Sequence, residues 1–110
     1  MAFDVATRQR IERDVAAYVA SIRPPALCRD EFDIDYRIYQ QSIEIVAIRP
    51  GNLMRYPVAK ATYIRTRDVW RIYWRKRDHK WHGYLQLPEA SDLDRVLQEL
   101  DSDPVGCFWG

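Results

Sequence analysis

From residue 32 onward the chain alternates apolar and polar side chains in short segments, a two-residue period typical of β-strands with one buried face. The alternation is clearest over residues 32–38, where aromatic and branched residues take the even positions and charged residues the odd ones. Residues 43–48 continue it as a second strand. The pattern predicts a sheet with an inner, apolar face and an outer face directed away from the core.

Both faces support one register for the first two strands. If residues 40–41 form a tight turn, Ile38 faces Ile43 on the inner face. The same register places Arg37 opposite Glu44 on the outer face, as an ion pair. Because apolar pairs and opposite charges match at once, we predict this antiparallel hairpin.

Three more strands are predicted at residues 58–65, 69–75 and 81–87, with two-residue turns at 67–68 and 78–79. Short connections between successive strands predict an antiparallel meander. The turns lack the Asn-Gly or Asp-Gly pair that marks a hairpin most strongly, so their positions rest on the register alone.

The predicted registers decide which side of the fourth strand is buried. Two-residue turns place Trp74 between Ala61 on one neighbouring strand and Gly83 on the other. Small neighbours give a large indole room to pack without strain. We therefore predict that Trp70, Ile72 and Trp74 point inward.

Two amphipathic helices flank the strands. The first is predicted over residues 4–23 from an apolar stripe at a 3.6-residue period, with Asp4 as its cap and the prolines at 24–25 as its stop. The second begins at Ser91, its predicted cap, and ends before Pro104.

These elements predict an α+β fold in a single domain spanning residues 1–110. An N-terminal helix, a five-stranded antiparallel meander and a short C-terminal helix follow one another, with both helices on one face of the sheet. Hydrophobic residues make up 47% of the chain, too many for a disordered protein. The tail at 105–110 is apolar enough that we expect it to pack on the domain or on a neighbour.

The sequence gives no sign of export or of membrane insertion. Charged residues follow the first few positions at once, which does not fit a secretory signal. No stretch approaches the roughly 20 apolar residues that a membrane helix needs. We therefore expect a cytoplasmic protein with no membrane partner and with reduced cysteines at positions 28 and 107.

The net charge of +1 hides an uneven distribution. The basic segment, residues 55–80, has nine basic and two acidic side chains, whereas residues 86–110 have six acidic and one basic. On the predicted registers, cations and aromatic rings interleave on the outer face. The predicted binding residues are Lys60, Arg71, Tyr73, Arg75, His82 and Tyr84.

Several functions fit such a face. The first is a non-catalytic binding or assembly module, expected as a homodimer because the outer face also carries apolar side chains such as Val46, Ile48 and Ile64. The alternative is a nucleic-acid-binding protein, in which cations meet phosphates and rings stack on bases. Solvated sheet faces carry the same residue types, so the pattern also fits a face without a ligand.

A metal-dependent nuclease is the third candidate. Two-metal phosphodiester chemistry needs clustered carboxylates and a cation. Glu12, Asp33, Asp35, Glu44 and Lys60 supply these residue types, but the Glu-x-Lys spacing expected on one strand is missing.

Zinc binding has little support. His79 and His82 would need Cys28 or Cys107 to complete a ligand set, and the chain has no Cys-x-x-Cys pair. The sequence predicts no catalytic residue, metal or cofactor.

Three segments resemble a family of small bacterial proteins classed as a domain of unknown function. They are residues 57–63 (Pro-Val-Ala-Lys-Ala-Thr-Tyr), residues 69–84 with their three tryptophans, and the ending Asp-Pro-Val-Gly-Cys-Phe-Trp-Gly at 103–110. The resemblance extends from the prolines at 24–25 to the last glycine. It implies a stand-alone protein and brings no activity, ligand or catalytic residue.

Overall fold

The computed structural model describes residues 3–52 and 54–109 and confirms the predicted α+β fold. The helices and strands are α1 (Val5–Ile22), β1 (Asp33–Tyr39), β2 (Ser42–Arg49), β3 (Met54–Ile64), β4 (Val69–Arg75), β5 (Trp81–Gly83), β6 (Glu89–Ala90) and α2 (Leu93–Ser102). The sheet follows the order β1-β2-β3-β4-β5, with every neighbouring pair antiparallel, and β6 pairs with β4 beyond the end of β5.

Helix α1 has the start and the stop that the sequence predicts. The Asp4 carboxylate accepts a hydrogen bond of 2.8 Å from the Thr7 backbone N–H, which caps the first turn. The helix ends at Ile22, and Arg23 is extended because proline disfavours helical geometry in the residue that precedes it. Its apolar stripe packs on the inner face of the sheet, where Val15 is completely buried.

The first hairpin has the predicted register, with Ile38 opposite Ile43 and Arg37 opposite Glu44. Strand β3 is longer than predicted and begins at Met54, so that Pro57 lies inside the strand. The register between β2 and β3 shifts near this proline. Proline donates no ladder hydrogen bond, and a bulge accommodates it within a sheet.

The connection between β3 and β4 has four residues, 65–68, rather than the two predicted. Trp74 consequently lies opposite Ala59 instead of Ala61. A two-residue shift keeps every side chain on its face, so the inward prediction is confirmed for Trp70 and Ile72, which are buried. Trp74 is half-buried and packs against the same core.

The register between β4 and β5 was predicted wrongly by one residue. Trp74 lies opposite His82 rather than Gly83, because the connecting loop has five residues, 76–80, and not two. The Asp78 side chain holds this loop by accepting from the Lys80 backbone N–H at 2.9 Å and by pairing with the His82 ring at 2.8 Å. A one-residue slip exchanges the faces of a strand, which places Trp81 on the outer face.

The fifth predicted strand, residues 81–87, is also shorter than expected and ends at Gly83. The chain then turns inward, and the Tyr84 side chain is completely buried. Its hydroxyl donates to the Glu99 carboxylate of α2 at 2.6 Å. Burial, followed by this hydrogen bond, raises the pKa of Tyr84 well above its ordinary value.

Helix α2 begins one residue later than predicted. Its cap is Asp92 rather than Ser91, with the Asp92 carboxylate accepting from the Arg95 backbone N–H at 2.9 Å. The predicted apolar stripe is confirmed, since Val96 and Leu100 are buried in the same core as α1. Both helices therefore lie on one face of the sheet.

The C-terminal tail packs on its own domain. Asp103 takes a left-handed conformation after α2, and its carboxylate accepts from the backbone N–H groups of Phe108 and Trp109 at 3.1 and 2.9 Å. The Phe108 ring is buried against Tyr84, with 4.8 Å between the ring centroids. Gly110 lies outside the described residues.

Aspartate side chains cover the free edge of β1. The carboxylates of Asp33 and Asp35 each accept from the next backbone N–H, those of Ile34 and Tyr36, at 2.8 Å. Another strand could pair here only by displacing these bonds, so the edge is protected against sheet extension. Asp33 also joins β1 to the end of α1 through two hydrogen bonds of 2.7 Å from the Arg23 guanidinium.

The Arg23–Asp33 pair predicts a pH-dependent loss of stability. The guanidinium holds the pKa of Asp33 at about 2, below its ordinary value of 3.8. Because the folded-state pKa is the lower one, the stabilisation is present above about pH 4 and is lost as the pH falls towards 2. We expect Arg23→Gln to lower the free energy of unfolding at pH 7 and to have a smaller effect at pH 3, where Asp33 is protonated in the unfolded chain.

Urea unfolding at pH 7, 4 and 3 measures the difference in free energy of unfolding between the wild type and Arg23→Gln. This difference should become smaller as the pH falls. Arg13→Gln is the matched control, since Arg13 is 73% exposed and contacts Asp14 only at 3.8 Å. A difference that stays constant over this pH range would contradict the assignment.

Candidate binding face of the sheet

A row of polar side chains crosses the outer face from β1 to β4. Arg37 lies opposite Glu44, Glu44 opposite Lys60, and Lys60 opposite Tyr73. Side chains that face each other on neighbouring strands are about 5 Å apart at Cβ, so each can contact the next. The row places two cations, one carboxylate and one aromatic ring side by side across four strands.

Glu44 is buried although no helix covers its face, with only 1% of its surface exposed. The Arg37 guanidinium donates to the carboxylate from Nε at 3.1 Å and makes an ion pair through Nη2 at 3.0 Å. Partial burial and then a hydrogen bond to Glu44 raise the pKa of Tyr39. The sequence predicted the Arg37–Glu44 pair, but not that its carboxylate is removed from water.

Lys60 lies between two aromatic rings. Its Nζ is 5.0 Å from the centroid of Tyr73 and 5.2 Å from that of Trp81, distances at which a cation is attracted to the ring. The Arg75 guanidinium lies 5.7 Å from the Trp81 centroid. These four residues form the cation–aromatic cluster: Lys60, Tyr73, Arg75 and Trp81.

Four of the six predicted binding residues lie on the outer face together: Lys60, Arg71, Tyr73 and Arg75. The cation–aromatic cluster contains three of them. Arg71 contacts the Glu89 carboxylate of β6 at 3.3 Å, and Arg67 binds the same carboxylate.

The outer-face prediction is wrong for Tyr84 and His82. Tyr84 belongs to the core. His82 lies opposite the inward-facing Trp74 and pairs with Asp78 instead of joining the cluster. The one-residue error in the β4–β5 register accounts for both residues.

Trp81 is the residue of the cation–aromatic cluster that sequence reasoning missed. It sits opposite Arg75, and the glycine two residues later lies opposite Tyr73 and leaves that ring uncovered from this side. A register in which the loop between β4 and β5 has an odd number of residues would have placed Trp81 on the outer face. The sequence contained no turn signal that favours that register.

The loop between β4 and β5 adds exposed cations at this end of the sheet. Lys76, Arg77 and Lys80 are exposed, but the Lys76 ammonium lies 5.2 Å from the centroid of the inward-facing Trp74 and so belongs to the helix side. The loop's acidic residue, Asp78, is already engaged by His82 and by the backbone of Lys80. Positive charge is therefore concentrated at this end of the sheet.

The residues of the nuclease alternative are divided between different parts of the fold. Glu12 accepts from the Tyr36 hydroxyl at 3.3 Å, Asp33 is held by Arg23, and Glu44 is held on the outer face. Within residues 3–52 and 54–109, no three His, Cys, Asp or Glu side chains are grouped closely enough to hold a metal ion. In the same residues no helix is long and apolar enough to cross a membrane.

The buried Glu44 carboxylate predicts a large effect of removing its partner. Arg37→Met removes the guanidinium that offsets the cost of burying the Glu44 charge. We therefore expect a loss of about 2 kcal/mol in the free energy of unfolding. In a Glu44→Gln background the same substitution should cost less than half as much, because a neutral amide needs no counter-charge. Equal losses by urea unfolding in both backgrounds would show that Arg37 acts through packing alone.

Comparison with known proteins confirms the resemblance seen in the sequence. Neither curated proteins nor solved structures provide a match to the chain. A family model described as "Domain of unknown function (DUF3024)" matches residues 3–110, a longer stretch than the resemblance predicted. The chain belongs to the DUF3024 family.

Proposed function

We propose that this protein binds single-stranded nucleic acid through the outer face of its sheet, without catalysing a reaction. The observation that carries the proposal is the cation–aromatic cluster, in which Lys60 and Arg75 lie against Tyr73 and Trp81. Two rings with cations beside them are the elements that sequence-tolerant binders of single strands use.

Each element of the cluster has a role in this proposal. A base stacks on the ring of Trp81 or Tyr73, worth about 1–3 kcal/mol per base. Lys60 and Arg75 meet the phosphates that flank the stacked bases. Because contact with a ring does not neutralise a cation, both side chains are held in place while their charge stays available.

The β4–β5 loop extends the positive surface beyond the cluster. Two exposed cations, Arg77 and Lys80, lie within the five residues that connect the two strands. A strand that leaves the cluster along this loop meets further positive charge, and binding then releases counterions. The affinity is therefore expected to fall steeply with salt.

The homodimer stays a prediction, with less support than the sequence suggested. Of the apolar side chains that supported it, Val46 is buried within the subunit, and Tyr84, predicted on the same face, is part of the core. Aspartates cover the free edge of β1. A binding face made of rings and cations fits a polyanion better than a second copy of itself.

Fluorescence anisotropy with a labelled oligothymidylate of about 12 nucleotides tests the proposal at 50 and 200 mM salt. We expect binding that weakens at the higher salt, a loss of about tenfold or more for Trp81→Leu, and a smaller loss and a shallower salt dependence for Lys60→Gln. Arg13→Gln on α1 is the control for removing one exposed positive charge.

Two results would contradict the proposal. One is an equal change in oligothymidylate affinity for Trp81→Leu and Arg13→Gln, since stacking on Trp81 would then contribute nothing. The other is a blunt-ended DNA duplex that binds as tightly as the single strand, which would show attraction by charge alone.

A further inference from the structure

A cleft of about 510 Å³ lies on the helix side of the sheet, away from the cation–aromatic cluster. Its walls are the first half of α1, the ends of β3 and β4 that meet at their connecting turn, and the start of α2. This volume lies within the range of pockets that hold small organic ligands. The proposed nucleic-acid-binding face does not use it.

An aromatic group forms one wall of the cleft. Tyr63 and Trp70 have their ring centroids 5.4 Å apart, and Phe3 lies 5.8 Å from Trp70 and 6.3 Å from Tyr63. Ile11 and Leu93 add apolar surface from the two helices. The wall therefore suits a flat, apolar group.

The rest of the lining is predominantly acidic. Two arginines, Arg10 and Arg65, share the cleft with five aspartates: Asp4, Asp14, Asp68, Asp92 and Asp94. The net charge of the lining is thus negative, although one of its walls, the ends of β3 and β4, belongs to the basic segment. A positively charged ligand is favoured over a neutral or negative one of the same shape.

The aspartates are spaced around the cleft instead of converging on one point. Asp4 and Asp92 cap different helices, and Asp68 accepts from the Tyr63 hydroxyl at 2.6 Å. In the part of the chain that the structure describes, no three of them are close enough for a metal ion. Carboxylates that do not converge on one point suit an extended organic cation better than a metal ion.

We propose that this cleft binds a small organic cation, in which an ammonium or amidinium group is attached to a flat apolar body. The body lies against Phe3 and Tyr63, whose rings are half-buried and cover Trp70, and the cationic group is directed to Asp14 and Asp94 on the two helices. This site is independent of the nucleic-acid-binding face, and neither proposal requires the other.

Titration with benzylamine, followed by NMR of the backbone amides and the Trp70 indole N–H, tests the proposal. Saturable shifts at Tyr63, Trp70 and Asp94 are expected with benzylamine. Benzyl alcohol, which has the same ring without the charge, should bind at least about fivefold more weakly, and benzoate should not bind. No saturable shift with benzylamine, or equal affinities for benzylamine and benzyl alcohol, would overturn the proposal.

Two matched double variants distinguish binding in the cleft from non-specific attraction of a cation to acidic side chains. Asp14→Asn combined with Asp94→Asn should weaken benzylamine binding about fivefold, with the fold checked by circular dichroism. Asp30→Asn combined with Glu31→Gln removes the same charge from exposed positions outside the cleft and should leave the affinity unchanged. If both double variants weaken benzylamine binding equally, the proposed site is wrong. If neither changes the affinity for oligothymidylate, the cleft and the nucleic-acid-binding face are separate sites.

Discussion

The rest of the structure depends on β4, because this strand pairs with three others. It bonds to β3 along one edge and to both β5 and β6 along the other. Trp70 and Ile72 are buried under the helices, so Arg71 and Tyr73 must lie on the outer face. A shift of β4 by one residue would place arginines in the core, at a cost far above that of any surface rearrangement. Burial on one face thus determines the chemistry of the other.

The same reasoning explains which parts of the fold could be predicted. The first hairpin was predictable because its two faces test the register independently, one by apolar pairing and one by charge. The β4–β5 hairpin offers no such test, since aromatic residues on both of its strands fit either face. Its five-residue loop depends on the Asp78 side chain and on a left-handed conformation at His79, neither of which is a strong turn signal. The error in Trp81 and Tyr84 follows from this loop alone.

Two buried carboxylates were also beyond the reach of sequence patterns, and they share one solution. Glu44 on the outer face is held by an arginine and lies beside a tyrosine hydroxyl. On the other side of the sheet, Glu99 accepts from the Arg95 guanidinium at 3.0 Å and from the Tyr84 hydroxyl at 2.6 Å. In both cases the guanidinium remains partly exposed while the carboxylate is covered. Sequence periodicity places such glutamates on the solvent side because it depends on residue type alone. It does not include the long side chains of neighbouring residues, which fold over the carboxylates.

The charge of a segment overstates the charge that it offers to a ligand. Within the basic segment, Arg67 and Arg71 both hold the Glu89 carboxylate and so contribute less to the attraction of a polyanion. Lys60 and Arg75 contact rings, which orient a cation without cancelling its charge. Ion pairing therefore narrows the attractive surface from the whole segment to the end of the sheet where β4 meets β5. In the proposed function such a surface accommodates a few nucleotides, and stacking then has to supply much of the affinity that a longer electrostatic track would provide.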